Sequence, residues 1–443
     1  MTRQKPHKWT FAARFRRNAY GWNGSRLACR RIKEAVSEIR KVARKDPLLG
    51  ASGAIKLMEK LWPALQYIDS SSGALGTAVY NVMRILVDLV VEAPADEKTR
   101  SKWLDRLWEA FNDDGVGYLD VLGERWGDVC GTPEVASKWA DELLPIVQRT
   151  WEGTKQGASS YFRGTDACLS CLLAAGRHGV LLDLIEMAPY LSWDYRRFGV
   201  EGLVAMGKKG EALKYARASR GLNDSQTVID GVCEEILLSS GLYEEAYRQY
   251  GLTVNRGGTN LATFRNIAGK YPKKEKIRIL EDLIELTPGE EGKWFATAKS
   301  LGMLPLALKL AHLSPCDPRT LNRAARDYLE KEPRFTLGVA IASLRWLTEG
   351  WGYEITGFDV YAAYDYAMKA AEKLGVGEQV RKDIHEIVNQ NASAGMFVKD
   401  VLPETFTMSD HPISPTEKGC GRKTRSFPDG FPRGGWEPGE RRA

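Results

Sequence analysis

A chain of 443 residues, with 43% apolar and 27% charged side chains, has the make-up of a folded protein. It is long enough for two ordinary domains or for one array that grows by addition, and its composition excludes a collagenous, mucin-like or wholly disordered chain. The most apolar run, "VMRILVDLVV", is interrupted by Arg84 and Asp88, against a membrane span, and the basic start lacks the apolar stretch of a secretory signal.

The net charge of +6 is unevenly spread. Residues 1–45 hold 14 Lys/Arg against two acids and residues 398–443 hold eight against seven, leaving −7 for the rest. Residues 1–24, including "KWTFAARFRRNAYGWNGS", lack apolar periodicity and read as a basic, aromatic arm or an irregular cap. From Ser25, a natural N-cap, Leu27, Ile32, Ala35, Val36, Ile39 and Val42 fall near a helical stripe. Further helices are expected over 53–68, 73–92, 96–112, 117–129 and 133–151, bounded by signals such as "DSSSG", "APADE", "NDDG" and "GTPE". No stretch alternates with period two between turn signals, so the fold class is all-α. "EGTKQGASSYFRG" (152–164) reads as the boundary between an N-terminal helical region, 25–155, and a second region, 160–390. Residues 391–443 are dense in Gly, Pro and charge and read as a disordered tail.

The second region repeats itself. "CLLAAGRHGVLLDLI", "GLVAMGKKGEALKYA", "ILLSSGLYEEAYRQY" and "TAKSLGMLPLALKLA" each set an apolar helix end, a glycine, a short turn and a new amphipathic helix in that order. The glycines are Gly176, Gly207, Gly241 and Gly302; the fifth residue after each is Leu181, Ala212, Ala246 and Ala307. Their intervals are 31, 34 and 61, and Gly375 follows 73 later, close to whole multiples of one unit. A degenerate unit around Gly269 falls where one is missing, and Pro333 replaces the glycine of another. Glycine ends a helix in the left-handed conformation, alanine permits close helix approach, and pairs with spare apolar faces must stack. This pattern resembles the tetratricopeptide repeat family over about 160–390, with Tyr243 in the turn-proximal aromatic position. The early Trp, later Tyr and closing Pro of that family are mostly absent, so the resemblance implies a TPR-like α-solenoid rather than true repeats. The chain from "RRNAYGWNGS" through "YARASRGLNDS" to "SPCDPRTLNRAARD" also resembles a widespread bacterial family with no assigned activity. That resemblance implies a cytoplasmic bacterial protein and carries no catalytic residues.

Chemistry is sparse. "TPGEEGKWF" has the wrong spacing for a phosphate loop, and "DSSSGALGTA" precedes a helix with no strand leading in, which favours capping by Asp69 or a serine. Cys168 and Cys171 lie within a helical pattern with no second pair at zinc spacing, and read as core residues. Seven scattered cysteines fit a reducing cytoplasm. The five histidines are far apart. No catalytic residue, metal site or cofactor is expected, and no enzyme activity. Polar and basic residues do recur at the starts of repeat helices. Asn223, Asn260, Arg265, Lys293, Trp294, Arg319 and Arg323 are expected to share one edge of the array, as a groove for a peptide or acidic segment. N-capping and solvated charge explain the same residues without a partner.

The expected function is therefore a non-enzymatic scaffold that binds a protein partner along the repeat surface. The alternative is nucleic-acid binding through the basic start. There Trp9, Tyr20 and Trp22, with Phe11 and Phe15, would stack on bases while Arg14, Arg16, Arg17, Arg30 and Arg31 meet phosphates.

Overall fold

The computed structural model of the chain describes residues 7–158, 161–390 and 396–402. These residues contain helices and no strand, so the all-α expectation holds. Of the expected tail, 391–395 and 403–443 lie outside the described residues; 396–402 do not follow it. Two compact units divide at Leu286/Thr287.

The first unit opens with an irregular cap, residues 7–24, containing 3-10 turns at Thr10–Ala13 and Trp22–Gly24. Helices α1 (Ser25–Ala43), α2 (Pro47–Leu65), α3 (Ala74–Val91) and α4 (Glu97–Asp113) follow. Asp46 and Asp96 begin α2 and α4 by accepting hydrogen bonds from the backbone N–H of Leu49 (2.9 Å) and Thr99 (2.7 Å). Helix α3 starts differently from expectation: Gly73 caps it at φ 68°, while Asp69 closes a turn by accepting from Ser71 N–H. Helix α3 is also long and apolar enough to cross a membrane by length and composition, yet it packs against α1 and α2 with seven side chains buried in the core. The expected helix over 117–129 is two short ones, α5 (Asp120–Glu124) and α6 (Trp126–Cys130), ahead of α7 (Pro133–Lys155).

The expected boundary at 152–164 lies inside this unit. Helices α7 and α8 (Thr165–Ala174) pack together, and one apolar core runs from Trp9 to Phe198. Gly127 of α6 donates to the Ser170 hydroxyl at 3.0 Å, and an added Cβ there would meet the Ser170 carbonyl oxygen at 2.2 Å. That close approach joins the two stretches.

Helix pairs then succeed one another: α8 with α9 (His178–Glu186), α10 (Trp193–Ala205) with α11 (Lys209–Arg217), and α12 (Gln226–Ser239) with α13 (Tyr243–Ala246). Helix α13 runs on through a π-helical turn, Tyr247–Gly251, into α14 (Leu252–Val254). The last pair of the unit is α15 (Asn260–Lys270) and α16 (Lys276–Glu285). Gly176, Gly207 and Gly241 stand at φ 70°, 76° and 76°. At each, the next residue's N–H reaches the carbonyl five positions back: Arg177 to Leu172, Lys208 to Leu203, Leu242 to Leu237, at 2.9, 2.9 and 3.0 Å. This bond pattern closes a helix end and aims the next helix back along the first. Leu181, Ala212 and Ala246 are fully buried at the contact. Adjacent pairs pack as well, α9 on α10 and α11 on α12, an arrangement that fits a helical solenoid. Gly269 does not play the part expected of it. It lies inside α15, and the break falls at Tyr271–Glu275, where Pro272 has no N–H to continue the helix.

A buried carboxylate ties the last two pairs together. Glu234 on α12 is fully buried and accepts from Asn255 Nδ2 (2.7 Å), Lys270 Nζ (2.5 Å) and the Tyr271 hydroxyl (2.5 Å).

In the second unit, a 3-10 turn (Glu291–Trp294) leads into α17 (Phe295–Ser300), followed by α18 (Leu304–Leu313), α19 (Pro318–Tyr328), α20 (Pro333–Thr348), α21 (Gly357–Leu374) and α22 (Gly377–Gln390). Gly302 and Gly375 repeat the closure at φ 75° and 71°, with Met303 N–H on the Ala298 carbonyl and Val376 N–H on the Ala371 carbonyl. Residues Met396–Val401 form α23, packed on α20 and α21 with Val398 and Leu402 buried. The expected tail is thus corrected over 396–402: three aliphatic residues in "FVKDVL" suffice to dock one more turn.

An added Cβ at Gly207 meets nothing within 4 Å, so Gly207→Ala is strained by its positive φ alone. It should cost about 1–2 kcal/mol in urea unfolding. Glu234→Ala removes the buried acceptor shared by three donors, one of them the buried Tyr271 hydroxyl, and should cost more, about 3–5 kcal/mol, by the same measurement.

Candidate binding site

Helix α1 has three faces. Ile32, Ala35, Val36 and Ile39 enter the core. Glu34 and Glu38 turn toward the cap. Glu38 accepts from the backbone N–H of Thr10 (2.7 Å) and Phe11 (3.1 Å) and from the Thr10 hydroxyl, holding the first 3-10 turn at its start. Glu34 is paired with Arg14, with Arg31 at 2.7 Å and with Arg30 at 3.9 Å, and the Arg31 hydrogen bond holds its carboxyl below the usual range.

The third face carries Lys33, Arg40, Lys41 and Arg44, which border a groove of about 810 Å³ against α3. Its floor is aliphatic: Val36 from α1, and Ala78, Val82 and Ile85 from α3. Ser37, Thr77 and Asn81 add neutral polar groups, and no carboxylate lines it. None of the four cations belongs to an ion pair among the described residues. The charges of a second groove, about 640 Å³ and beside the π-helical turn, are different. There Arg248 is paired with Glu245, and Lys274 pairs with Glu244 at 3.1 Å while lying 4.0 Å from the centre of the Tyr247 ring. Both cations of that groove are therefore already paired with its own carboxylates.

The residues expected to bind nucleic acid divide sharply. Trp9 and Tyr20 are buried, as are Phe11 and Phe15, and successive rings in this series lie 5.5 to 6.5 Å apart. Trp9 lies flush on α2, where a Cβ on Gly53 would fall 2.4 Å from its ring. These aromatics build the cap's core and are turned away from any base, which corrects their expected role. Trp22 remains 67% exposed, and Arg16 and Arg17 are exposed with no ion pair among the described residues. Arg14, Arg30 and Arg31 gather on Glu34.

The expected repeat edge is likewise uneven. In the first unit, Asn223 and Arg265 are exposed and Asn260 is half-buried at the start of α15. In the second, Lys293 pairs with Glu290 at 2.6 Å, and Arg323 bonds back to its own helix through the Arg319 carbonyl and Thr320. Arg319 pairs with Asp359 at 3.1 Å and also reaches the Glu354 carbonyl. Trp294 is buried and donates its ring N–H to the Thr287 hydroxyl at 2.8 Å, so it is a core residue and not a surface anchor.

No protein-family model matches the chain, and no curated protein matches it.

A group of titratable side chains gathers where α8 packs against α5 and α10. Their charges cross-pair: Arg163 with Asp114 (2.9 Å) and Asp120 (2.8 Å), Arg197 with Glu124 (3.6 Å). This is the pattern of a structural ion-pair network. Asp166, at the start of α8, sits within it, and its Oδ1 has no hydrogen-bond partner among the described residues. Burial lifts its carboxyl to about 7, against the pull of Arg197. Cys168 and Cys171 are buried in α8 as expected; burial pushes the Cys168 thiol up to about 12. No cluster of metal-binding side chains occurs among the described residues.

The folded chain keeps the Asp166 proton up to about pH 7, whereas the unfolded chain releases it near pH 4. Stability should therefore fall as pH rises between those values. Asp166→Asn should match the parent at pH 4 and exceed it at pH 8, by on the order of 1–3 kcal/mol in thermal melts.

Proposed function

We propose that this protein is a non-enzymatic interaction scaffold, a TPR-like helical array of the bacterial cytoplasm that holds a protein partner through an anionic segment. The observation that carries this reading is the groove between α1 and α3. It presents four cations with no carboxylate of their own, beside an aliphatic floor of which Ala78 and Ile85 remain half-buried. A cation without an intramolecular partner gives up nothing but water on meeting an external carboxylate, whereas Arg319 would first have to leave Asp359. The glycine-closed helix pairs support the TPR-like reading, because stacked pairs provide a stiff surface that loses little freedom on binding. Among the described residues six cysteines are free, five of them buried, which suits a reducing compartment. The nucleic-acid reading is the weaker one, since four of its five stacking rings are in the core.

The immobilised full-length chain is expected to retain a stoichiometric protein partner from its native lysate. Reversing Lys33, Arg40, Lys41 and Arg44 to Glu should lower recovery on the order of tenfold or more. An Arg265→Glu/Lys293→Glu variant tests the repeat edge separately. Recovery that neither variant reduces would remove the scaffold reading.

A further inference from the structure

We propose that the groove between α1 and α3 docks one acidic, amphipathic α-helix of a partner protein. The helix would lay its apolar stripe on Val36, Ala78, Val82 and Ile85 and set its carboxylates against Lys33, Arg40, Lys41 and Arg44. This rests on the scaffold reading and adds the form and chemistry of the segment bound.

The dimensions suit a helix. Lys33 to Arg44 on α1, and Ala74 to Ile85 on α3, are each 11 steps of an α-helix, or about 16 Å of wall. That is room for about three turns of a third helix, whose i, i+3, i+4, i+7 residues would meet the floor.

The surface chemistry suits an apolar stripe with acidic flanks. On the α3 wall Val82 is buried while Ala78 and Ile85 are half-buried, so the apolar surface a docked helix would cover is what remains open of those two side chains. Along the neighbouring wall the charge has one sign. The two carboxylates of α1 that could have neutralised it are held by the cap, Glu38 by Thr10 and Phe11, Glu34 by three arginines.

Other occupants fit less well. No aromatic ring lines the groove, so a nucleic acid would find cations but no stacking platform. A second copy placed symmetrically would bring the same cations face to face. The chain's own remaining segments lack the charge: residues 1–6 contain Arg3 and Lys5 and no acid, and residues 403–443 hold seven Lys/Arg against six Asp/Glu.

The test uses the full chain and fluorescence anisotropy at near-physiological salt. The probe is a labelled synthetic peptide of about four helical turns with Leu at i, i+3, i+4, i+7 and Glu on the flanks. Its comparators are a scrambled isomer of the same composition and a single-stranded oligonucleotide of similar length. The amphipathic peptide should bind at least tenfold more tightly than its isomer. The Lys33→Glu/Arg40→Glu/Lys41→Glu/Arg44→Glu variant should weaken it more than tenfold. Thr77→Trp, which obstructs the groove from an exposed position without altering charge, should also weaken it. Circular dichroism melts unchanged from the parent confirm that both variants are folded.

Equal binding of peptide and isomer overturns the inference, as does peptide affinity that neither variant changes. Oligonucleotide bound more tightly than peptide, and released by the reversal, assigns the groove to nucleic acid instead. If the native partner is lost on reversing Arg265 and Lys293 but kept on reversing the groove, this inference falls while the scaffold reading stands.

Discussion

Glu34 and Glu38 are the only acidic residues among the first 45, and both are spent on the segment that precedes their helix. Glu38 supplies the acceptor that two backbone N–H groups need at the start of a 3-10 turn, and Glu34 gathers Arg14, Arg30 and Arg31. These contacts fix the cap, whose buried rings close one end of the core from Trp9 onward. They also leave the opposite flank of α1 with cations alone. Cap and groove are thus two results of one distribution of charge around a single helix.

The helix pairs answer a different constraint. A helix of nine to fourteen residues is marginal alone and has an apolar stripe to hide. Reversal through one left-handed residue, with the following N–H returned to a carbonyl five back, lets the next helix cover it at once. The same closure in both units, at Gly207 as at Gly302, shows that it is a local device and does not depend on which neighbour follows. Where the glycine is replaced, as at Tyr271–Pro272, polar contacts take over: Glu234 draws in Asn255, Lys270 and Tyr271 from beyond the break. The π-helical turn beside it lets the Tyr247 hydroxyl reach Asp282 on α16 at 2.6 Å.

What makes a charged surface available is the pairing state of its charges, more than their number. The network around Arg163 and Arg197 is rich in titratable groups, and its arginines are paired with carboxylates of the same network. In the groove beside the π-helical turn both cations are held by neighbouring carboxylates. Among the described residues, the groove of α1 and α3 sets four unpaired cations beside an aliphatic floor with no carboxylate in its lining, a combination that suits a segment of opposite charge.

Local features were legible in the sequence. The helical stripe of α1, the "APADE" boundary before α4 and the glycine-closed pairs all act within a few residues, so spacing alone reveals them, whereas α2 begins at Pro47, six residues ahead of the expected start. The basic start was legible as composition. Which of its residues face water was not, because Trp9 is buried by Gly53, more than forty positions away, and Trp22 by nothing comparable. Distance in sequence likewise hid the groove, whose second wall is α3, and the internal partner of Arg319, which is Asp359. The extent of the first core was also a tertiary matter. A Gly- and Ser-rich stretch resembles a linker until Gly127 and Ser170 are seen to meet across it. Periodicity determines which face a helix must hide; only packing decides what hides it, and which charges are left over.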